Sequence, residues 1–230
     1  LPNAAAETPP DNTLPRERLL RHGAGVLADA ELIALMLRTG MPGCDVLTLG
    51  NRLLRHFGSL RALFGAAPEQ LIGLPGLGKA KACQLVAVLE LARRVVEEDL
   101  ARGDALAQPL RVKQYCLTIL GHRQIEHCIA LFLDTRLRLI ACNELSRGTL
   151  AQASVYPREV VREALRLHAS ALIIAHNHPS GWPEPSAADC LLTERLHRAL
   201  ALVDIRLLDH LIVAGGTAVS MAELGKMGRS

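Results

Sequence analysis

The stretch His176-Asn177-His178-Pro179-Ser180-Gly181-Trp182-Pro183-Glu184-Pro185-Ser186-Ala187-Ala188-Asp189 follows directly on the apolar run Ala171-Leu172-Ile173-Ile174-Ala175. The run reads as a buried strand, and strand side chains alternate between faces. His176 and His178 therefore point the same way at a strand end. A Pro/Gly loop comes next, then a helix whose first turn carries Asp189. Strand, loop and helix in this order specify an α/β unit. Two imidazoles and a carboxylate can converge there on one divalent ion, and three protein ligands leave a fourth position for water, as in a catalytic zinc site. A plainer reading stands beside it: Ser186-x-x-Asp189 after Pro185 is also a helix-start signature, with serine as N-cap and an acid at the third helical position.

The rest of the chain bounds what this unit can belong to. With 230 residues, 50% of them hydrophobic and 21% charged, the composition is that of an ordinary globular protein, enough for one large or two small domains. Aromatics make up only 3%, so Leu, Val, Ile and Ala must fill the core. The net charge of +3 is too mild to argue nucleic-acid binding by itself. The cysteines at 44, 83, 116, 128, 142 and 190 form no CxxC pair and read as small buried hydrophobes in a reducing cytosol. No signal segment opens the sequence and no run approaches a membrane span, so a cytoplasmic protein is expected.

Residues 1–13 read as a disordered tail, 14–100 as an all-helical domain, 101–108 as a linker and 109–230 as the α/β domain. In the helical part Asp29 is expected to cap a helix stopped at Thr39-Gly40, a second helix covers Leu47 to Phe57, and a long one starts at Lys79. Residues 14–81 carry nine Lys/Arg against five Asp/Glu. Within them, Leu71-Ile72-Gly73-Leu74-Pro75-Gly76-Leu77-Gly78-Lys79-Ala80-Lys81-Ala82 has the apolar-x-Gly-apolar-Gly pattern of a helix-hairpin-helix. Gly76 and Gly78 let backbone approach a phosphate, the next helix start offers amides, and Lys79 and Lys81 add charge. Such contacts hold DNA without reading sequence. The same glycines also suit a tight turn with no ligand.

In the α/β part, Ile129–Leu133 and Leu137–Cys142 read as a strand pair turning at Asp134-Thr135-Arg136. A helix follows from Arg158 to His168, another from Ser186 to about Ala201, and strands near Ile205–Ala214 and Ala218–Met221. Arg158, Arg162 and Arg166 repeat every four residues, either tracking a polyanion or forming a solvated face paired with Glu159 and Glu163. Trp182 is read as a substrate contact or as a cover for the loop. His210 shares a strand face with Leu208 and Ile212, where a lone histidine is more often a satisfied core residue than a ligand.

The stretch from His176 to Asp189 resembles the JAMM (MPN-plus) metalloprotease motif, His-x-His, seven residues, Ser-x-x-Asp, with a glutamate upstream. Its wording is similar to the bacterial RadC-like branch, and together with the helix-hairpin-helix the resemblance spans most of the chain. It implies a cytidine-deaminase-like α/β fold, a mixed sheet flanked by helices, preceded by a small helical domain. It implies zinc held by His176, His178 and Asp189, and Ser186 stabilising an oxyanion. By the resemblance Glu144, in the context Glu144-Leu145-Ser146-Arg147-Gly148-Thr149, matches the catalytic acid/base; from the residues alone a surface carboxylate at a strand end is the favoured reading. The expected reaction is hydrolysis of an amide or isopeptide bond in a protein or peptide. The alternative is a DNA-associated repair or recombination factor whose metal site is structural or serves another activity. A nuclease reading of His-Asn-His fails because such nucleases spread those residues over a ββα unit. A zinc deaminase needs His-x-Glu and Pro-Cys-x-x-Cys, and Cys190 has no second cysteine nearby.

Overall fold

The structure, a computed structural model, describes residues 14–105, 108–148 and 155–227. The tail at 1–13, Leu106 and Ala107 of the linker stretch, and Thr149 lie outside the described residues. The chain divides into two compact units, one ending at Ala87 and one beginning at Val88.

Five short helices and the start of a sixth build the first unit: α1 (Pro15–His22), α2 (Asp29–Leu37), α3 (Val46–Phe57), α4 (Leu60–Phe64), α5 (Pro68–Ile72) and α6 (Lys79–Arg102). Asp29 is the first residue of α2, not its cap: Ala28 occupies the cap position and Glu31 Oε2 accepts its N–H at 2.9 Å. An acid still suits the positive end of the helix dipole there. Asp45 caps α3, accepting from the amides of Leu47 and Thr48. Gly50 lets α2 and α3 close on each other, because a Cβ there would lie 2.7 Å from Ala30 O. Ile33, Leu37, Leu49, Leu53, Leu63, Leu71, Leu77 and Leu85 form the core between these helices.

The division falls inside α6, ahead of the stretch expected to be a linker. The physical reason is packing: Leu100 and Ala105 are buried in the same cluster as Val112 and Tyr115, and the Ala105 N–H donates to Leu137 O at 2.9 Å. The second unit adds α7 (Pro109–Leu120), β1 (His127–Leu133), β2 (Leu139–Arg147), α8 (Pro157–Arg166), β3 (Ala171–Asn177), α9 (Ala187–Ala201), β4 (Arg206–Ala214) and β5 (Thr217–Ser220). The sheet has the order β2-β1-β3-β4-β5. Only β3 and β4 run parallel, joined by the α9 crossover, and every other pair is antiparallel. This is the mixed α/β architecture expected.

Both faces of the sheet are covered, so β1 from Cys128 to Leu133 and β3 from Ala171 to Ala175 are apolar on both sides. Ile129, Leu131, Leu133, Ile173 and Ala175 pack with Val112, Tyr115, Cys116 and Leu120 of α7. Ala130, Phe132, Leu172 and Ile174 pack on the other face with Val160 and Ala164 of α8 and Leu196 and Leu200 of α9. Cys44, Cys116 and Cys128 are buried, and all six thiols are free. Among the described residues no helix is long and apolar enough to cross a membrane.

Candidate metal centre

Antiparallel register places Cys128 of β1 opposite His176 of β3, so His176 shares the face that α9 covers. β3 ends at Asn177, but the chain stays in line for one more residue because the His178 N–H donates to Val213 O at 2.9 Å. The two imidazoles consequently meet, Nε2 to Nε2, at 2.8 Å. Asp189, the third residue of α9, brings Oδ1 to 3.1 Å from His176 Nε2 and Oδ2 to 3.3 Å from His178 Nε2. One ligand atom from each residue lies within 4.8 Å of the other two. His176 and Asp189 are buried and His178 is half-buried, so the group opens to solvent on the His178 side.

The polar bookkeeping shows that this group fits a cation. Asp189 Oδ2 accepts from the Ser186 amide and from Ser186 Oγ, each at 2.7 Å. Asp189 Oδ1 is buried with no hydrogen-bond partner; its contact with His176 is close in distance only. His178 Nδ1 faces the carbonyl oxygen of Trp182 at 2.8 Å. A carbonyl can only accept, so Nδ1 carries the proton and Nε2 presents its lone pair inward. A buried acceptor without a donor costs on the order of 1–3 kcal/mol, more when charged, and a divalent ion removes that cost. Burial pushes the Asp189 carboxyl up, but His176 and His178 outweigh it and hold it well below the ordinary carboxylate range. Asp189 in turn raises His178.

Ser186 fulfils both readings of its motif. It is the N-cap of α9, accepting from the Asp189 N–H at 3.2 Å, and its hydroxyl donates to a ligand carboxylate. Trp182 leaves its ring exposed while its carbonyl holds His178. His210 is wholly buried, with Nε2 at 2.8 Å from His176 Nδ1 and Nδ1 at 2.6 Å from Thr193 Oγ1. Asp209 accepts from the His210 and Ala222 amides and from Ser220 Oγ, tying the end of β5 to β4.

Glu144 is not brought to this group. It lies within β2, opposite Ile129, and accepts or shares a hydrogen bond with His127 Nδ1 at 2.7 Å. A bulge is the cause. The register passes from Cys128↔Ser146 to Ile129↔Glu144, so Leu145 is extra and packs in the α8/α9 cluster. The extra residue turns Glu144 to the face opposite His176. The carboxylate that the register sets on the His176 side is Glu126. It immediately precedes β1, two residues before Cys128 and hence on the same face, and the register extended by two residues sets it opposite His178. It is half-buried, and its charge contributes to raising His178. Glu126 and Thr193 were absent from the sequence reading. Thr193 had a signal, since it lies one turn beyond Asp189 on the same face of α9. Glu126 had one only through the strand that follows it.

In the helical unit, the glycine stretch of the motif lies between the end of α5 at Ile72 and the start of α6 at Lys79. Gly76 has φ +87°, and a Cβ there would meet Met41 Sδ at 2.9 Å. Lys81 Nζ donates to Gly40 O at 2.8 Å and Gly76 O at 3.1 Å. Gly78 and Lys79 are exposed at the start of α6. Of the arginine row on α8, Arg162 pairs with Glu159 and Arg166 with Glu163, while Arg158 stacks on Tyr156 at 5.0 Å. This is the solvated-face alternative.

Comparison with known proteins gives matches along most of the chain. The family model of the RadC-like JAB domain matches residues 106–226, and that of the UPF0758 N-terminal region matches residues 7–83. A UPF0758 protein of Bordetella parapertussis is 63% identical over 213 residues, covering 93% of this chain and 95% of that protein. One of Bordetella avium is 60% identical over 220 residues, covering 94% and 98%. One of Herminiimonas arsenicoxydans is 52% identical over 218 residues, covering 95% and 97%.

Proposed function

The chain belongs to the family of RadC-like JAB-domain proteins, and from that premise we propose that it is a zinc-dependent hydrolase of JAMM type, cleaving an amide or isopeptide bond of a protein or peptide in the cytoplasm. The observation that carries the proposal is the buried Asp189 carboxylate set against two imidazole nitrogens, its Oδ1 without a hydrogen-bond donor. His176, His178 and Asp189 would hold the ion. Bound there, zinc supplies Lewis acidity, polarising a carbonyl and lowering the pKa of water from ~15.7 toward ~7.

The remaining work belongs to the chain. Glu126, in place of Glu144, takes the proton of the attacking water and returns it to the leaving amine; its support is its position opposite His178 on the solvent side. Proton transfer by a placed carboxylate contributes about 10²–10⁴ in rate. Ser186 Oγ–H, now donated to Asp189 Oδ2, is the donor we assign to the developing oxyanion. Trp182, whose carbonyl meets His178 and whose ring is exposed, would lie against substrate.

Elemental analysis of the purified protein beside Asp189→Ala tests the reading. About one zinc per chain in the parent and little in the variant is the expected result. A parent that takes up no zinc when it is offered would overturn it. A second reading, a DNA-associated factor, draws on Gly78 and Lys79 exposed at the start of α6, a place where amides and a lysine can meet a phosphate. Lys79→Glu should then abolish duplex binding, whereas Gly76 and Lys81 would act by shaping the turn.

A further inference from the structure

Three polar groups behind the metal ligands form a chain whose hydrogen bonds can run in only one direction. Its far end is the carbonyl oxygen of Asp189, which lies 2.6 Å from Thr193 Oγ1. A carbonyl has no proton to give, so the single hydroxyl proton of Thr193 is committed to it. Thr193 Oγ1 is also 2.6 Å from His210 Nδ1. With its proton already donated, the hydroxyl can only accept, so His210 Nδ1 carries a proton. His210 is wholly buried, and both its ring nitrogens meet neutral groups, so a second proton would be a buried charge with no partner. His210 Nε2 is therefore an acceptor. It faces His176 Nδ1 at 2.8 Å, which makes His176 the donor and leaves His176 Nε2 bare.

We propose that Thr193 and His210 are positioning residues that fix His176 in the tautomer with its proton on Nδ1, so that Nε2 is presented to the ion. The inference rests on the metal reading above and adds residues that act through His176 without touching the ion. The construction mirrors the other ligand, where Trp182 O fixes His178 in the same tautomer. It also joins two ligands covalently far apart: the relay begins on the main chain of Asp189 and ends on the ring of His176. Asp189 thus serves twice, its carboxylate as ligand and its carbonyl as the anchor that sets the direction of the chain. The residues that seat His210 are in place as well, since Met221 N–H donates to His210 O at 2.9 Å and Asp209 holds the His210 amide at 2.7 Å.

Groups that orient a ligating histidine cost about 10–100-fold in metal affinity when removed. The test is zinc affinity, measured by competition with a chromophoric chelator, for the full chain and for His210→Leu, Thr193→Val, His210→Gln and Asp189→Ala. His210→Leu is expected to weaken zinc about 10–100-fold. His210→Gln, whose amide oxygen again accepts from His176 Nδ1–H, is expected to recover most of the loss. Nitrogen-15 correlation spectra of the zinc-free parent, independent of any variant's folding, should show His176 protonated at Nδ1. Finding His176 protonated at Nε2 overturns the proposal, as does unchanged affinity in a folded His210→Leu. Asp189→Ala separates this from the metal reading: if it binds zinc as tightly as the parent, the centre itself is misassigned, whereas loss in Asp189→Ala with none in His210→Leu removes the relay alone.

Discussion

Around the glycine stretch between α5 and α6, Lys81 Nζ is held by two backbone carbonyls and Gly76 lies against Met41 and Leu49. In the loop after β3, a buried carboxylate oxygen has no donor and two imidazole nitrogens face each other at 2.8 Å. Both segments carry motif residues at motif spacing, and the sequence reads them alike. The structure separates them by what is left over after internal hydrogen bonding. Lys81 is consumed in holding the turn, which leaves Lys79 and the amides at the α6 start as the exposed part of that motif. Around Asp189 the capacity stays open, and a folded protein tolerates that where something else is meant to fill it.

The largest test of this contrast is on the side with open capacity. Glu126→Gln should lower kcat/KM on a peptide that the parent cleaves by about 100-fold or more, with bound zinc unchanged. Glu144→Gln should stay within about threefold, because its carboxylate faces His127 across the sheet from His176. Paired kinetics with zinc analysis on the same preparations decide it. An equal loss in Glu144→Gln would break the assignment by sheet face.

That pair of glutamates also marks where sequence reading stops. His176, His178, Ser186 and Asp189 were legible because one strand end, one loop and one helix cap place them, all within 14 consecutive residues. Glu126 is set opposite His178 only by the pairing of β1 with β3, and no local pattern encodes that register. Glu144 was displaced by one bulged residue, Leu145, and a shift of one inverts every side chain beyond it. α1 and α4 went unread, but the limits of α2, α3, α8 and α9 followed from apolar spacing and from cap and Gly signals. The unit boundary did not, because Leu100 and Ala105 pack with α7 although the stretch after Arg102 looks like a linker.

A smaller effect sharpens the other side. Lys81→Met should destabilise the helical unit by about 1–3 kcal/mol, since Gly40 O and Gly76 O lose their shared donor. Lys79→Met, at an exposed position, should stay within about 0.5 kcal/mol. Urea unfolding followed by signals of the helical unit measures both. Equal losses would mean that Lys79 too is consumed internally, and the motif would then have no cation left for a phosphate.

The smallest effect compares two carboxylates at helix starts. Asp45 and Asp189 both sit at the first turn of a helix, but Asp45 has its oxygens filled by the Leu47 and Thr48 amides at 2.9 and 3.0 Å and by Thr48 Oγ at 2.5 Å. The Thr48 hydroxyl, then the amides, hold its carboxyl below the ordinary range. A carboxyl lowered on folding means that the unfolded chain takes up its proton first as pH falls. The contribution of Asp45 is therefore fully present above ~3.9, its unfolded value, and is lost as pH drops through the folded one. Hydrogen-exchange protection of the Leu47 and Thr48 amides should hold above about pH 3.9 in the parent and fall as pH drops below it. It should stay nearly flat in Asp45→Asn, which still caps α3 but carries no titrating charge. Equal declines would show that hydrogen bonding at this cap does not depend on the charge. The distinction from Asp189 would then rest on the missing donor at Oδ1 alone, because a saturated carboxylate that gains nothing from its charge is a cap and nothing more.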